Sequence, residues 1–396
     1  MNGRYFLPAL GIVNVLGNGA DEVASRLFAG DTTGMALEEG WLAGRPARVG
    51  RVRADLPEIP AAFSDYACRN NRLLLAAFAQ IRREVEDALE RFGPGRIGVV
   101  LGTSTSGIAE GEAAIAEHRR TGKLPQEFRY VQQELGAPAL FLARCIGATG
   151  PAYCVSTACT SSAKAFVSAR GLLRLGICDA VVVGGVDSLC KLTVNGFAAL
   201  ESISSSVCNP MSRNREGINI GEGAALFLMT REAADRAPIA LLGAGESSDA
   251  YHISAPQPEG LGAEAAMRAA LADAGLTAGD VDYLNMHATA TPKNDEMESR
   301  AIDRTFPGGV AASGTKPLTG HMLGTAGATE LAFCWLALRD GRLPPHVWDG
   351  EADPELPQLD LVGAGRGFVR NSRRVCMSNS FAFGGNNACL LIGDPR

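Results

Sequence analysis

The sequence predicts a layered α/β fold made from two copies of one unit. Three observations carry this. Short apolar runs at residues 97–101, 180–183 and 281–286 alternate with segments that carry a helical apolar stripe. The run 384–392 repeats the pattern of 221–229. The helix-forming segment after Cys159, ending near Gly176, resembles the one after His321, ending near Gly341. Both pairs share nearly one offset, about 163 residues, too long for a solenoid period and right for a duplicated half. The halves are placed at residues 1–237 and 238–396. Two such halves predict stacked sheets with helices between and outside them.

In chain order, residues 5–15 read as a buried strand entering the turn Gly17-Asn18-Gly19. Pro8 within it argues for a sheet edge or the strand's start, because proline donates no ladder hydrogen bond. Residues 21–29 read as a short helix and 30–60, punctuated by Pro and Gly, as surface loops. Residues 64–92 read as one long amphipathic helix with Leu73, Leu74, Phe78 and Ile81 on its apolar face. The strand 97–101 opens into Gly102-Thr103-Ser104-Thr105-Ser106-Gly107. That loop lacks the spacing of a phosphate-binding P-loop and reads as a strand-to-helix turn. Helices are expected at 138–148 and 162–175, and strands at 180–183, ending in Gly184-Gly185, and at 221–229. Residues 231–236 read as a solvated connector to a strand at 239–242. The second half continues with a helix at 263–274, a strand at 281–286, a turn at 314–325, a helix at 326–338 and two strands within 375–392.

Composition narrows the function. The chain has 396 residues, 46% of them apolar, and a net charge of −6. That balance speaks against nucleic acid or an anionic membrane as partner. The ten cysteines are scattered and form no C-x-x-C pair, so neither a disulfide framework nor a zinc site is read, and a reducing cytoplasm is expected. No run reaches transmembrane length and no leader is read at the N-terminus.

The chemistry is concentrated in four stretches. In Val155-Ser156-Thr157-Ala158-Cys159-Thr160-Ser161-Ser162, an apolar run ends in small residues that allow a sharp turn, and a helix follows. A cysteine raised on such an elbow sits at a helix N-terminus, whose partial positive charge favours thiolate. The other stretches close predicted strands of the second half: Asn285-Met286-His287-Ala288-Thr289-Ala290-Thr291-Pro292, Gly314-Thr315-Lys316-Pro317-Leu318-Thr319-Gly320-His321, and Ser378-Asn379-Ser380-Phe381-Ala382-Phe383-Gly384-Gly385. Two of the chain's five histidines fall in them. His118, His252 and His346 have no such context and are read as structural or exposed.

These motifs, in this order and nearly end to end, resemble the condensing enzymes of the thiolase fold, the β-ketoacyl carrier-protein synthases. The resemblance implies the αβαβα layering of that fold and a Cys-His-His site. Cys159 would take the acyl group from a carrier, and the backbone N–H groups of Cys159 and Phe383 would form the oxyanion hole. His287 and His321 would donate hydrogen bonds to the enolate left when malonyl carrier loses CO₂. Lys316 would organise the charges, paired with Glu298, while Asp295 and Glu296 are read as solvated helix-start carboxylates. Thr289 and Thr291 would hold the pantetheine arm, and Phe381, Phe383 and Gly384 would shape or gate the acyl pocket. Asn285, Glu330 and Ser378 match positions where some relatives hold a structural cation. The resemblance implies no metal or redox cofactor for the chemistry.

It also implies acyl- and malonyl-loaded carrier protein as partners, and a dimer with a second copy or a related chain near residues 184–206. Ala288 and Ala290 stand where the family more often has Gly and Ser, and Met211 and Ile218 where it more often has Phe. The changes at Met211 and Ile218, near the active-site entrance, point toward a specialised pathway, such as polyene or aryl-polyene assembly, rather than housekeeping fatty-acid elongation. Two alternatives differ in class. A non-catalytic chain-length partner would lack the cysteine, and a coenzyme A-dependent thiolase-like acyltransferase would need a second catalytic cysteine; Cys376, on the strand before the Gly-rich turn, does not decide that by itself.

Overall fold

The computed structural model describes residues 5–232, 239–369 and 373–395. In the first half the strands are Tyr5–Asn14 (β1), Gly17–Asn18 (β2), Met35–Leu42 (β3), Arg45–Gly50 (β4), Ile97–Gly102 (β5), Ala152–Val155 (β6), Ala180–Asp187 (β7), Ile220–Gly221 (β8) and Gly223–Thr230 (β9). In the second they are Ala240–Ser248 (β10), Tyr283–Met286 (β11), Ala311–Gly314 (β12), Asp360–Leu361 (β13), Val375–Phe381 (β14) and Asn386–Gly393 (β15).

The hydrogen-bonded path runs β13-β12-β11-β14-β15-β10-β1-β9-β7-β5-β6. Its two ends have the same grammar. β5 lies parallel between β6 and β7, and antiparallel β9 and β1 follow. β11 lies parallel between β12 and β14, and antiparallel β15 and β10 follow. The halves meet where Tyr5 pairs with Leu241 and Phe6 with Ala240. The expected boundary at 237/238 and most of the expected connector lie outside the described residues.

Side-chain alternation along the strands builds five layers. On β7, Val181 and Val183 face one cluster while Val182 and Val186 face another. On β15, Leu390 and Ile392 face the first of these clusters, and Cys389 and Leu391 face a third. The shared cluster is the middle layer. It holds the helices Ser161–Arg174 and Ala326–Asp340, with Phe166 edge-to-face on Phe227 at 5.3 Å. Helices Arg69–Ala79 and Ala137–Ile146 cover the outer face of the first sheet, and Leu261–Ala274 and Pro292–Thr305 cover that of the second. Every strand of the central pairs is thus buried on both faces, which is why these runs are continuously apolar. Gly327 lets the two central helices close on each other: a Cβ there would meet the Ala163 nitrogen and Cβ at 2.9 Å.

Three expectations are corrected. The helix expected over residues 64–92 is broken into Ala61–Tyr66 (a 3₁₀ turn), Arg69–Ala79 and Arg82–Phe92. The break falls at Gln80, whose amide bonds both the N–H and the carbonyl of Ile12, at 2.9 and 3.0 Å. Pro8 lies in a strand paired on both sides, inside a register irregularity between Phe6 and Ala9 that removes the need for its missing N–H. Residues 30–60 are not all loop. β3 and β4 form a hairpin that β8 extends into a second sheet, anchored by Ala47, Val49 and Ile220. No helix among the described residues is long and apolar enough to cross a membrane.

Candidate active site

The elbow forms as its small residues predict. Ala158 takes a left-handed φ of 52°, and the helix starts at Ser161. Thr160 Oγ1 donates to the Thr157 carbonyl at 2.7 Å, and Ser161 Oγ accepts from the Thr157 N–H at 2.9 Å. Cys159 is buried at the mouth of a cavity of about 300 Å³. Burial pushes its thiol up to about 12. The Lys316 charge opposes that shift, as do the backbone N–H groups of Phe383 and of Cys159 itself, which point at the sulfur. The resting group is therefore a thiol rather than the thiolate expected from the helix terminus. Desolvation outweighs the helix here because the pocket is closed around the sulfur.

Both histidines reach this sulfur. His321 Nε2 lies 3.0 Å from Cys159 Sγ, and one ligating nitrogen of each imidazole and the sulfur fall within 4.8 Å of one another. The far side of each ring is occupied by a donor. Leu323, at a φ of 50°, donates its N–H to His321 Nδ1 at 3.2 Å. Lys316 Nζ donates to His287 Nδ1 at 3.3 Å. A neutral imidazole that accepts at Nδ1 carries its proton on Nε2. Burial, then the Lys316 charge, holds both rings well below their usual pKa, with the His321 ring adding to the effect on His287. The site therefore presents two neutral Nε2–H donors. With those lone pairs protonated, the Cys-His-His cluster is a donor pocket and a poor metal cage.

Lys316 is placed as expected at the centre of the charges, but with a different partner. Its ammonium donates to Glu330 Oε1, to the His287 carbonyl and to His287 Nδ1. Glu298 instead accepts the N–H groups of His287 at 2.7 Å and Ala288 at 2.6 Å. Its carboxylate faces backbone because it projects from the first turns of helix Pro292–Thr305, under the loop that carries His287. Burial raises both Glu298 and Glu330 to about 7. Asp295 is likewise not solvated. It is fully buried and accepts from Met211 N at 2.8 Å and Ala290 N at 3.1 Å. The signal for this was in the spacing: Asp295, Glu298 and Ile302 share one helix face by their i, i+3, i+7 positions. These two carboxylates hold Ala288 and Ala290 at φ values of 39° and 62°, which glycine would adopt more readily. Glu330 Oε2, Asn285 Oδ1 and Ser378 Oγ are buried and have no hydrogen-bond partner among the described residues.

Thr289 and Thr291 line the cavity, their hydroxyls 2.9 Å apart. Phe383 also lines it and packs its ring on Phe197 at 5.5 Å. Phe381 lines it too, buried with its ring 6.1 Å from the His287 ring. Gly384, at a φ of 82°, donates its N–H to the Ile253 carbonyl, tying the Phe-Gly-Gly turn to the 249–257 loop. Phe197 lies in no chemical motif, and Leu323, two residues after His321, is a variable position of its motif, so neither was given a role from sequence. His346 is structural, its Nδ1 accepting from Gly314 N, while His118 and His252 are exposed.

Residues 58–234 match the family Beta-ketoacyl synthase, N-terminal domain, and residues 239–348 match Beta-ketoacyl synthase, C-terminal domain. The chain belongs to the β-ketoacyl synthase family. This β-ketoacyl synthase is 36% identical to Nodulation protein E of Rhizobium meliloti over 310 residues, 75% of each chain. It is 33% identical over 348 residues to 3-oxoacyl-[acyl-carrier-protein] synthase 2 of Staphylococcus aureus, covering 82% of this chain and 85% of that one. It superposes with a TM-score of 0.94 and 44% identity on a chain of the complex between the ketosynthase ApeO and its chain length factor ApeC from Xenorhabdus doucetiae, covering 99% and 98% of the two chains. The β-ketoacyl synthase is an acyltransferase of the thiolase fold. Its convergent cysteine and histidines disfavour the reading as a non-catalytic chain-length partner.

Proposed function

We propose that this chain elongates acyl chains held on a carrier protein by decarboxylating Claisen condensation. The observation that carries the reading is a buried sulfur faced by two imidazoles whose Nδ1 atoms are both already bonded. Such imidazoles donate and do not abstract. As the acyl thioester binds, Cys159 loses its proton to the departing pantetheine sulfur, and its sulfur forms a C–S bond to the acyl carbon. The backbone N–H groups of Cys159 and Phe383 receive the tetrahedral oxyanion, each donor being worth about 10²–10³ in rate.

Malonyl carrier then takes the place of the first carrier. Its C–C bond to the carboxylate breaks, CO₂ leaves, and the electron pair moves into the thioester as an enolate. The Nε2–H groups of His287 and His321 donate to the enolate oxygen. The enolate carbon attacks the acyl carbon on Cys159, the C–S bond breaks, and the thiolate takes one proton from solvent water, the proton the decarboxylation consumes overall. Lys316 keeps His287 in its donor tautomer, Glu298 holds the His287 loop, and Thr289 with Thr291 binds the pantetheine arm. Glu330, Asn285 and Ser378 hold a small cation beside the Lys316 network.

The proposal extends to partners and setting. The working enzyme is cytoplasmic and pairs with a related chain that lacks the elbow cysteine. The likeness to a chain of the ApeO–ApeC complex supports the pairing with a second chain. Ile218, which lines the cavity where relatives more often carry Phe, supports a polyene or polyketide chain as the cargo over a housekeeping fatty acid.

The enzyme, co-expressed with its partner chain, is incubated with acyl carriers of graded length and malonyl carrier, and read by intact mass. We expect an acyl adduct on Cys159 and a longer β-ketoacyl carrier, both absent in Cys159→Ala. An adduct that never yields a longer product overturns the proposal.

A further inference from the structure

Asp187 ends β7 and is fully buried, yet no step above uses it. Its carboxylate accepts six hydrogen bonds from two other segments. Oδ1 takes Thr103 Oγ1 at 3.0 Å, Ser104 N at 2.7 Å, Thr105 N at 2.8 Å and Thr105 Oγ1 at 2.9 Å. Oδ2 takes Thr325 N at 2.8 Å and Thr325 Oγ1 at 3.1 Å. Three of the six partners are backbone N–H groups, which can only donate and so favour the anion, while burial pushes the carboxyl the other way, above its usual range.

The two segments matter because of where they lead. Thr103–Thr105 follow β5, beside the elbow. Thr325 closes the 3₁₀ turn Leu323–Thr325, which begins two residues after His321. Between the segments, Gly324 lies flat on the loop: a Cβ there would meet Ser104 N and the Thr103 carbonyl carbon at 2.9 Å. Leu323, at a φ of 50°, sits in the left-handed region, where its Cβ crowds the following carbonyl. Something must therefore hold the turn that way, and Thr325 is its anchored end.

We propose that Asp187 is a positioning residue for His321: by clamping Thr325 to the Thr103–Thr105 loop it aims the Leu323 N–H at His321 Nδ1, and so keeps the His321 proton on Nε2, facing Cys159. The first half thereby sets the tautomer of a histidine contributed by the second. The inference rests on the proposed function, in which Nε2–H is the working donor. It goes beyond that function in assigning the cause of the tautomer to a carboxylate that never meets substrate.

The test reads the tautomer directly. The chain has five histidines, so ¹⁵N-histidine labelling gives a short spectrum, and loss of a signal in His321→Gln assigns it. In the parent, His321 shows a bare Nδ1 and a protonated Nε2. In Asp187→Asn the amide NH₂ faces donors, and His321 shifts to mixed tautomers. Condensation kcat falls by about 10²-fold, the worth of one preorganised donor, while KM for malonyl carrier changes little. Thr325→Val, which keeps the N–H and loses only the hydroxyl bond to Oδ2, moves both readouts the same way by less. An unchanged His321 tautomer in folded Asp187→Asn overturns the proposal. Where Asp187→Asn does not fold, an unchanged tautomer and rate in Thr325→Val overturns it. Because the tautomer is read in the resting enzyme, a parent that shows it but cannot condense counts against the proposed function and not against the anchoring by Asp187.

Discussion

Lys316 spends all three ammonium hydrogens on Glu330, the His287 carbonyl and His287 Nδ1, with no water needed to complete it. Lys316→Ala strands a buried carboxylate, which costs about 3–5 kcal/mol. It also frees the tautomer of His287. We expect the midpoint of urea unfolding to drop, condensation to fall far more than acylation of Cys159, and single-turnover mass measurements to separate the two. A Lys316→Met, Glu330→Leu double variant removes both charges; its stability recovers while condensation does not. Recovery of both would make the pair purely architectural. At this scale the sequence was clear about identity and silent about pairing. Cys159, His287, Lys316 and His321 stand in ordered motifs, but nothing in a one-dimensional pattern says that Lys316 turns to Glu330 and Glu298 to backbone amides. That choice follows from which helix lies under which loop.

Elements differ in how openly the chain announces them. β5, β7 and β9 are legible because burial on both faces makes them unbroken apolar runs. The β3–β4 hairpin is not, since only scattered residues such as Met35, Ala47 and Val49 are buried and its strand order depends on distant β8. The break at Gln80 was equally hidden: the apolar stripe continues through it, and the cause is a side chain reaching Ile12, 68 residues away in sequence. Gln80→Leu leaves that reach empty. Burying an unpaired backbone group costs about 1–3 kcal/mol, so the urea midpoint should fall with the m-value unchanged. A midpoint equal to the parent's would show that the helix breaks there for another reason.

Across the whole molecule, the site sits where the cysteine of the first half meets the histidines of the second, and its carboxylates are deep enough to couple folding to pH. Glu298 titrates at about 7 in the fold, above the 4.5 of an unperturbed glutamate. Its protonated form is the one the interior prefers. Its contribution to stability is therefore fully present below about pH 4.5 and is lost as pH rises through about 7. Glu298→Gln has no such term. The stability of the parent relative to this variant should decline between about pH 5 and about pH 7.5 by on the order of 3 kcal/mol, read by urea unfolding at both ends. A flat difference would mean that the carboxylate is ionised in both states. The depressed histidines act in the opposite sense, losing stability as pH falls below 6.5, and taking the difference from the variant cancels them.

Cys159 belongs to none of the apolar clusters that hold the layers together. Its neighbours on the elbow are secured by their own hydroxyls and carbonyls, whatever the side chain between them. Reactivity and architecture are thus separable at this position. A chain with Ala at position 159 therefore keeps its shape and its urea midpoint while it loses the acyl adduct, so an inactive copy of this fold costs nothing in stability.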